Sequence, residues 1–229
     1  MGYNINRGIP ARIFLTNGKE GERPFVEKIA AKGQTVVVDR GYQGHKSFDT
    51  WQKEGIHFVC RIKEGTTKEV VIVNEVSPGS IVFYDAVTYL GSGINKTEKQ
   101  IRLVGYRVQG KDYWIATDRH DLTGEQIALV YKLRWNIETF FGWWKQHLKV
   151  YHLIARTPYG LMVQMLAGLI TYLLLAIYCH ETHGEKVNIK RVRELRIKIK
   201  NEAAMMTDST EWDPDDAGYG EAGGFYAKT

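Results

Sequence analysis

One acid, two bases and a phenol are spaced so that a single helix would present them together. In the stretch from Thr123 to about Leu153, Tyr131, Arg134, Glu138 and Lys145 fall within roughly a 60° arc at 100° per residue. Leu129, Val130, Leu133, Ile137, Phe140, Phe141, Trp144 and Leu148 take the other side. The stripe reads either as chemistry or as the outer face of an ordinary amphipathic helix. A second acid, Asp39, closes the run Val36-Val37-Val38. It is either a site residue or a cap or turn aspartate. Carboxylates suit hard divalent cations, and magnesium completes its shell with waters and phosphate oxygens. Two such ions activate one oxygen and stabilise the leaving one in phosphoryl transfer. Arg134 and Lys145 beside Glu138 would hold phosphates, Arg134 bidentately. Tyr131 offers a hydroxyl to a phosphate or a ring to a base, and Trp135, nearest the stripe, is a candidate stacking contact.

These groups need elements to position them. Thr123 with Gln126 predicts a capping box at the start of the long helix. The triple valine predicts a central strand buried on both faces, and ligand sites of open α/β sheets lie beyond the carboxyl ends of strands. Upstream, Ile9 to Thr16 reads as a strand followed by an Asn17-Gly18 turn, and Arg23 to Lys32 as a helix. His45 to Glu54 reads as a helix and His57 to Ile62 as a strand. Residues 63–118 then alternate in short runs (KEVVIVN, SIVFYDAVTYL, KQIRLVGYRVQ, KDYWIAT) between glycine turns, a block of β-hairpins. Asp118 also ends an apolar strand, but Arg119-His120-Asp121 and a helix cap follow at once, so it reads as a turn residue. Leu161 to Tyr178 is apolar enough to suggest a membrane span. Gln164 and Gly168 interrupt it, and a buried core helix is the expectation. Lys186 to Lys200 reads as a basic helix. His180, His183 and Cys179 lack the spacing of a zinc site.

The chain has 229 residues with a net charge of +5, and the charge is uneven. Residues 201–229 hold seven acids and one base, Lys228. Of 31 bases and 26 acids in all, residues 1–200 therefore keep 30 and 19, a net of +11. So basic a body favours a polyanion, nucleic acid first. Two cysteines, Cys60 and Cys179, are too few for a disulfide framework and fit a reducing, cytoplasmic setting.

The spacing Tyr131-x2-Arg134-x3-Glu138-x6-Lys145 resembles the Y-x2-R-x3-E-x6-K signature of the insertion sequence 4 family of DDE transposases. The segment VVVDRGYQG is similar to that family's second catalytic aspartate region. The resemblance runs from about residue 5 to about 200. It implies an α/β fold with a ribonuclease-H-like core and a β-rich insertion. It divides the chain into a first part of the core at 1–62, the insertion at 63–112 and a helical second part at 113–200, while the acidic, glycine-rich composition of 201–229 reads as a disordered tail. It implies Asp39 and Glu138 as catalytic ligands of Mg2+ or Mn2+, and Tyr131, Arg134 and Lys145 as the grip on the element end. It implies double-stranded DNA, at element ends and target, as partner, and a homodimer for the full-length protein, with no membrane. The family needs a first aspartate on a first strand, and residues 1–38 contain none. Hence the expectation is a core lacking its first strand, metal held weakly and cleavage poor, with a non-catalytic DNA-binding remnant as the alternative.

Overall fold

The structure is a computed structural model that describes residues 1–14, 21–147 and 156–208. Its described residues fall into two compact units, 1–172 and 173–208. The first unit opens with a small hairpin, β1 (Tyr3–Asn4) and β2 (Ile9–Pro10). The strand expected to reach Thr16 is thus short, and the Asn17-Gly18 turn lies outside the described residues. A 3₁₀ turn, Arg23–Phe25, leads into α1 (Val26–Ile29). The helix expected to reach Lys32 ends early, where Ala30 turns to extended geometry at ψ 151. Then come β3 (Thr35–Val38), α2 (His45–Glu54), β4 (His57–Arg61), β5 (Lys68–Val73), β6 (Val82–Leu90), β7 (Ile101–Val108) and β8 (Lys111–Thr117). The helices α3 (Gly124–Leu133), α4 (Trp135–His147), α5 (Pro158–His183) and α6 (Ile189–Asp208) complete the chain.

One mixed sheet organises the first unit, in the order β3-β4-β8-β7-β6-β5. β3 and β4 are parallel, joined through α2, and the rest is antiparallel. The strands of the β-rich block therefore continue the sheet that β3 and β4 begin. Alternation along β4 builds two layers. Phe58 and Cys60 face a core with Val26, Phe48 and Trp51 from α1 and α2. Val59 faces a second core with Val104, Ile115, Ile127 and Tyr131, under α3. The β7–β8 turn places Gln109 at φ 50 and Gly110 at φ 74, the left-handed pair that a two-residue hairpin needs.

Three expectations are corrected here. β3 is an edge strand among the described residues, and its four residues are only half-buried. The apolar run reads equally as an edge strand half-covered on each face. The long helix from Thr123 is two helices, broken at Arg134. The amide of Arg134 reaches back to Tyr131 O at 3.1 Å and that of Ile137 to Arg134 O at 3.2 Å, three-residue spacings that tighten the chain at the joint. Residues 148–153 of that expected helix lie outside the described residues. α5 is also not the buried helix expected: Leu169, Tyr172, Leu175 and Cys179 are buried while Val163, Ile170, Leu174 and Ile177 are exposed. It is long and apolar enough to cross a membrane by length and composition.

Within the first unit α5 contributes Tyr172, whose ring sits 4.8 Å from that of Phe140 on α4. In the second unit α6 runs through Asp208, so the beginning of the segment read as a tail is helical. Residues 209–229 lie outside the described residues.

Candidate functional site

Asp39 leaves β3 in extended geometry (φ −88, ψ −175). Burial pushes up the nearby Tyr42 and Cys60 groups, and the negative charge of Asp39 adds to it; both residues pack with the α1–α2 core. The last register pair is Val38 with Cys60, which sets Asp39 beside Arg61. The carboxylate also does what a turn aspartate does: Oδ1 accepts the Gly41 amide at 2.7 Å. A Cβ on Gly41 would stand 2.9 Å from that oxygen, so the glycine leaves the carboxylate its place. The cap reading of Asp39 describes the bond to the Gly41 amide.

Arg61 is the link to the helices, and the sequence reading did not single it out. It occupies the carboxyl end of β4 on the α3 face, as its spacing from Val59 implies. Its guanidinium lies 4.7 Å from the Tyr113 ring centroid, and Tyr113 stacks on Tyr106 at 5.1 Å. Tyr131 closes this group from α3, its ring 6.4 Å from that of Tyr113. Burial pushes the Tyr131 phenol up, and the nearby Arg134 and Arg61 charges pull it the other way.

The stripe is therefore not one solvated face. Tyr131 is buried at 6% exposure, with Ile127 and Ala128, while Leu129 and Leu133 are exposed. α3 is rolled relative to the expectation. Gly124 explains the close approach, since a Cβ there would meet Val82 at 3.0 Å. Beyond the break, Arg134 donates from Nη1 to Glu138 Oε1 at 2.7 Å, and its guanidinium lies 5.6 Å from the Tyr131 ring centroid. Its Nε is buried without a hydrogen-bond partner. Glu138 is exposed. Lys145 is exposed two turns further along α4, 5.9 Å from the Phe141 ring centroid. Trp135 is 63% exposed at the joint, whereas Trp144 is buried and Trp143 half-buried.

Asp118, the competing strand-end acid, is at the opposite end of the sheet. Its Oδ1 accepts the Phe58 amide at 2.9 Å and its Oδ2 pairs with His57 Nδ1 at 2.8 Å. It ties β8 to the start of β4, as a turn residue.

Among the described residues no three His, Cys, Asp or Glu side chains gather closely enough to hold a metal ion. One oxygen of Asp39 is committed to Gly41 and one of Glu138 to Arg134. These residues do not by themselves form a metal centre.

What the geometry does offer is an acid at the end of a parallel strand and, at the α3–α4 joint, an arginine paired with a glutamate beside a tyrosine. The chain belongs to the DDE transposases, of the insertion sequence 4 type: residues 1–174 match the family described as Transposase DDE domain. A protein named as transposase for insertion sequence element IS5377 of Geobacillus stearothermophilus is 30% identical over 178 residues, 76% of this chain and 47% of that protein. One named as transposase for element IS4SA of Synechocystis is 27% identical over 207 residues, 85% and 57% respectively. A Sinorhizobium fredii protein also named as a transposase is 28% identical over 182 residues, 76% and 51%. The chain spans about half the length of these relatives. DDE transposases generally depend on divalent metal ions.

Proposed function

We propose that this chain handles element-end DNA in transposition, with Asp39 and Glu138 as two of the carboxylates for phosphoryl transfer. Tyr131, Arg134 and Lys145 grip the backbone of the element end, and Trp135 is placed to stack on a base. What supports the reading is Asp39 at the carboxyl end of the parallel strand β3 and the grouping of Tyr131, Arg134 and Glu138 at the α3–α4 joint. The core is of the ribonuclease-H type. The parallel β3–β4 pair and the open edge of β3 support that, because a strand laid on this edge would bring its own acid about 4.8 Å from Asp39. Such an acid would complete a site for magnesium or manganese; the described residues alone supply two of its carboxylates.

A longer protein carrying this segment with a first-strand acid tests the reading. Divalent-ion-dependent nicking of element-end duplex should vanish in Glu138→Gln, and nicking that survives overturns the role of Glu138. A second reading, a non-catalytic DNA binder, is favoured by the missing third carboxylate among the described residues. For it, the 229-residue chain binds element-end duplex in a salt-sensitive way without cleaving, and Arg134→Ala with Lys145→Ala weakens binding.

A further inference from the structure

A second feature opens beside Asp39: a cleft of about 870 Å³ lined by Arg23, Arg40, Lys46 and Lys63, with His45 and Asn95 at its wall. Asp39 is the one carboxylate among the residues that line it. Several other cations of the unit are matched: Lys53 with Glu98, Lys96 with Glu69, Arg107 with Asp112, Arg119 with Asp121. Among the described residues, Arg40, Lys46 and Lys63 make no such pair. Like charges held close without neutralisation repel one another, and an anion in the cleft would offset that.

The walls are fixed in advance. Gln43 donates to Thr66 Oγ1 at 2.9 Å and accepts the Lys63 amide at 2.8 Å. Arg23 Nε donates to Gly41 O at 2.6 Å. The His45 ring is bonded through Nδ1 to Asn95 O at 2.6 Å. Gly91 has no room for a Cβ because Asn95 O and that ring fill the space. No aromatic residue apart from the engaged His45 lines the cleft, so nothing there stacks on a base or encloses a nucleobase. Charge without stacking selects backbone phosphate. Arg40 follows Asp39 directly, so whatever occupies the cleft passes the acid.

We propose that this cleft is a track for the sugar–phosphate backbone of DNA running past Asp39, with Arg40, Lys46 and Lys63 each neutralising a phosphate. The claim rests on the DNA-handling reading above and adds a surface separate from the α3–α4 grip. The test is fluorescence anisotropy of the 229-residue chain with a labelled single-stranded oligonucleotide of mixed sequence, titrated across salt. The variants are R40Q/K46Q/K63Q and, separately, R134A/K145A, with thermal melts by circular dichroism confirming that each folds. Each lost phosphate contact on a single strand removes about 0.7 from the slope of log affinity against log salt, so the triple variant should lose about two. If the triple variant does not fold, Lys46→Gln alone should lose about 0.7. An unchanged slope overturns the track even where R134A/K145A weakens duplex binding, and the α3–α4 reading then stands. Unchanged duplex binding in R134A/K145A overturns that reading and leaves the track to its own slope. A wild-type chain that binds no DNA overturns both.

Discussion

Two aspartates end apolar strands in this chain, and their surroundings assign them opposite work. Asp118 holds a backbone amide and an imidazole. Asp118→Ala strands the Phe58 amide and should cost about 1–3 kcal/mol in urea unfolding, with DNA binding unchanged in the folded fraction. Asp39 makes a cap bond that asparagine can also make, so Asp39→Asn should leave stability within about 0.5 kcal/mol while removing any nicking by the longer protein. At Asp121 the Arg119 hydrogen bonds hold the carboxyl from its ordinary 3.8 down to about 2. A depressed carboxylate adds stability above its unfolded value and loses it as pH falls towards its folded one. The gap between wild type and Asp121→Asn should therefore be small at neutral pH, because the pair is exposed. It should close between about pH 4 and pH 2 in acid unfolding curves.

At the scale of elements, the sequence was read best where a local interaction decides the outcome. The Thr123–Gln126 capping box is present in both directions, Gln126 N to Thr123 Oγ1 at 3.2 Å and Thr123 N to Gln126 Oε1 at 2.8 Å. Thr123→Ala should cost about 1 kcal/mol in thermal or urea unfolding. α2 spans the residues its periodicity indicates, and the strands of the β-rich block fall where alternation and glycine put them. The break at Arg134 was not legible, because no proline or glycine marks it and the apolar period continues on both sides. Nor was the roll of α3. A tyrosine is apolar along its ring and polar at its tip, so Tyr131 fits a polar stripe or a buried face. Tertiary partners, Tyr113 and the two arginines, decide between them.

Across the whole first unit, strand order lies beyond what pattern carries. Alternation shows which face of a strand is apolar but not which strand lies beside it, so β3 reads as central and stands at an edge. The candidate site was legible as a set of residue types. The approach of Arg61 to Tyr113 and Tyr131 was not, since it depends on how β4, β8 and α3 pack. The sheet's integrity also rests on a feature no motif announced. Arg102 is buried, bonded to both oxygens of Asp85 at 3.1 and 2.7 Å and to the carbonyls of Arg119 and Leu122. Arg102→Ala leaves Asp85 a buried, unmatched charge and should cost about 3–5 kcal/mol, read as a lowered urea midpoint.

At the far margin of the sheet, β5 runs Lys68–Val73 with Val70, Val71, Ile72 and Val73 all exposed, and its outer hydrogen-bonding row meets no strand among the described residues. Such a segment templates the same segment of another molecule. Concentrated stocks of the isolated chain should therefore form β-rich aggregates seeded at this rim. One lysine at Val71 should raise the solubility limit without lowering the melting temperature.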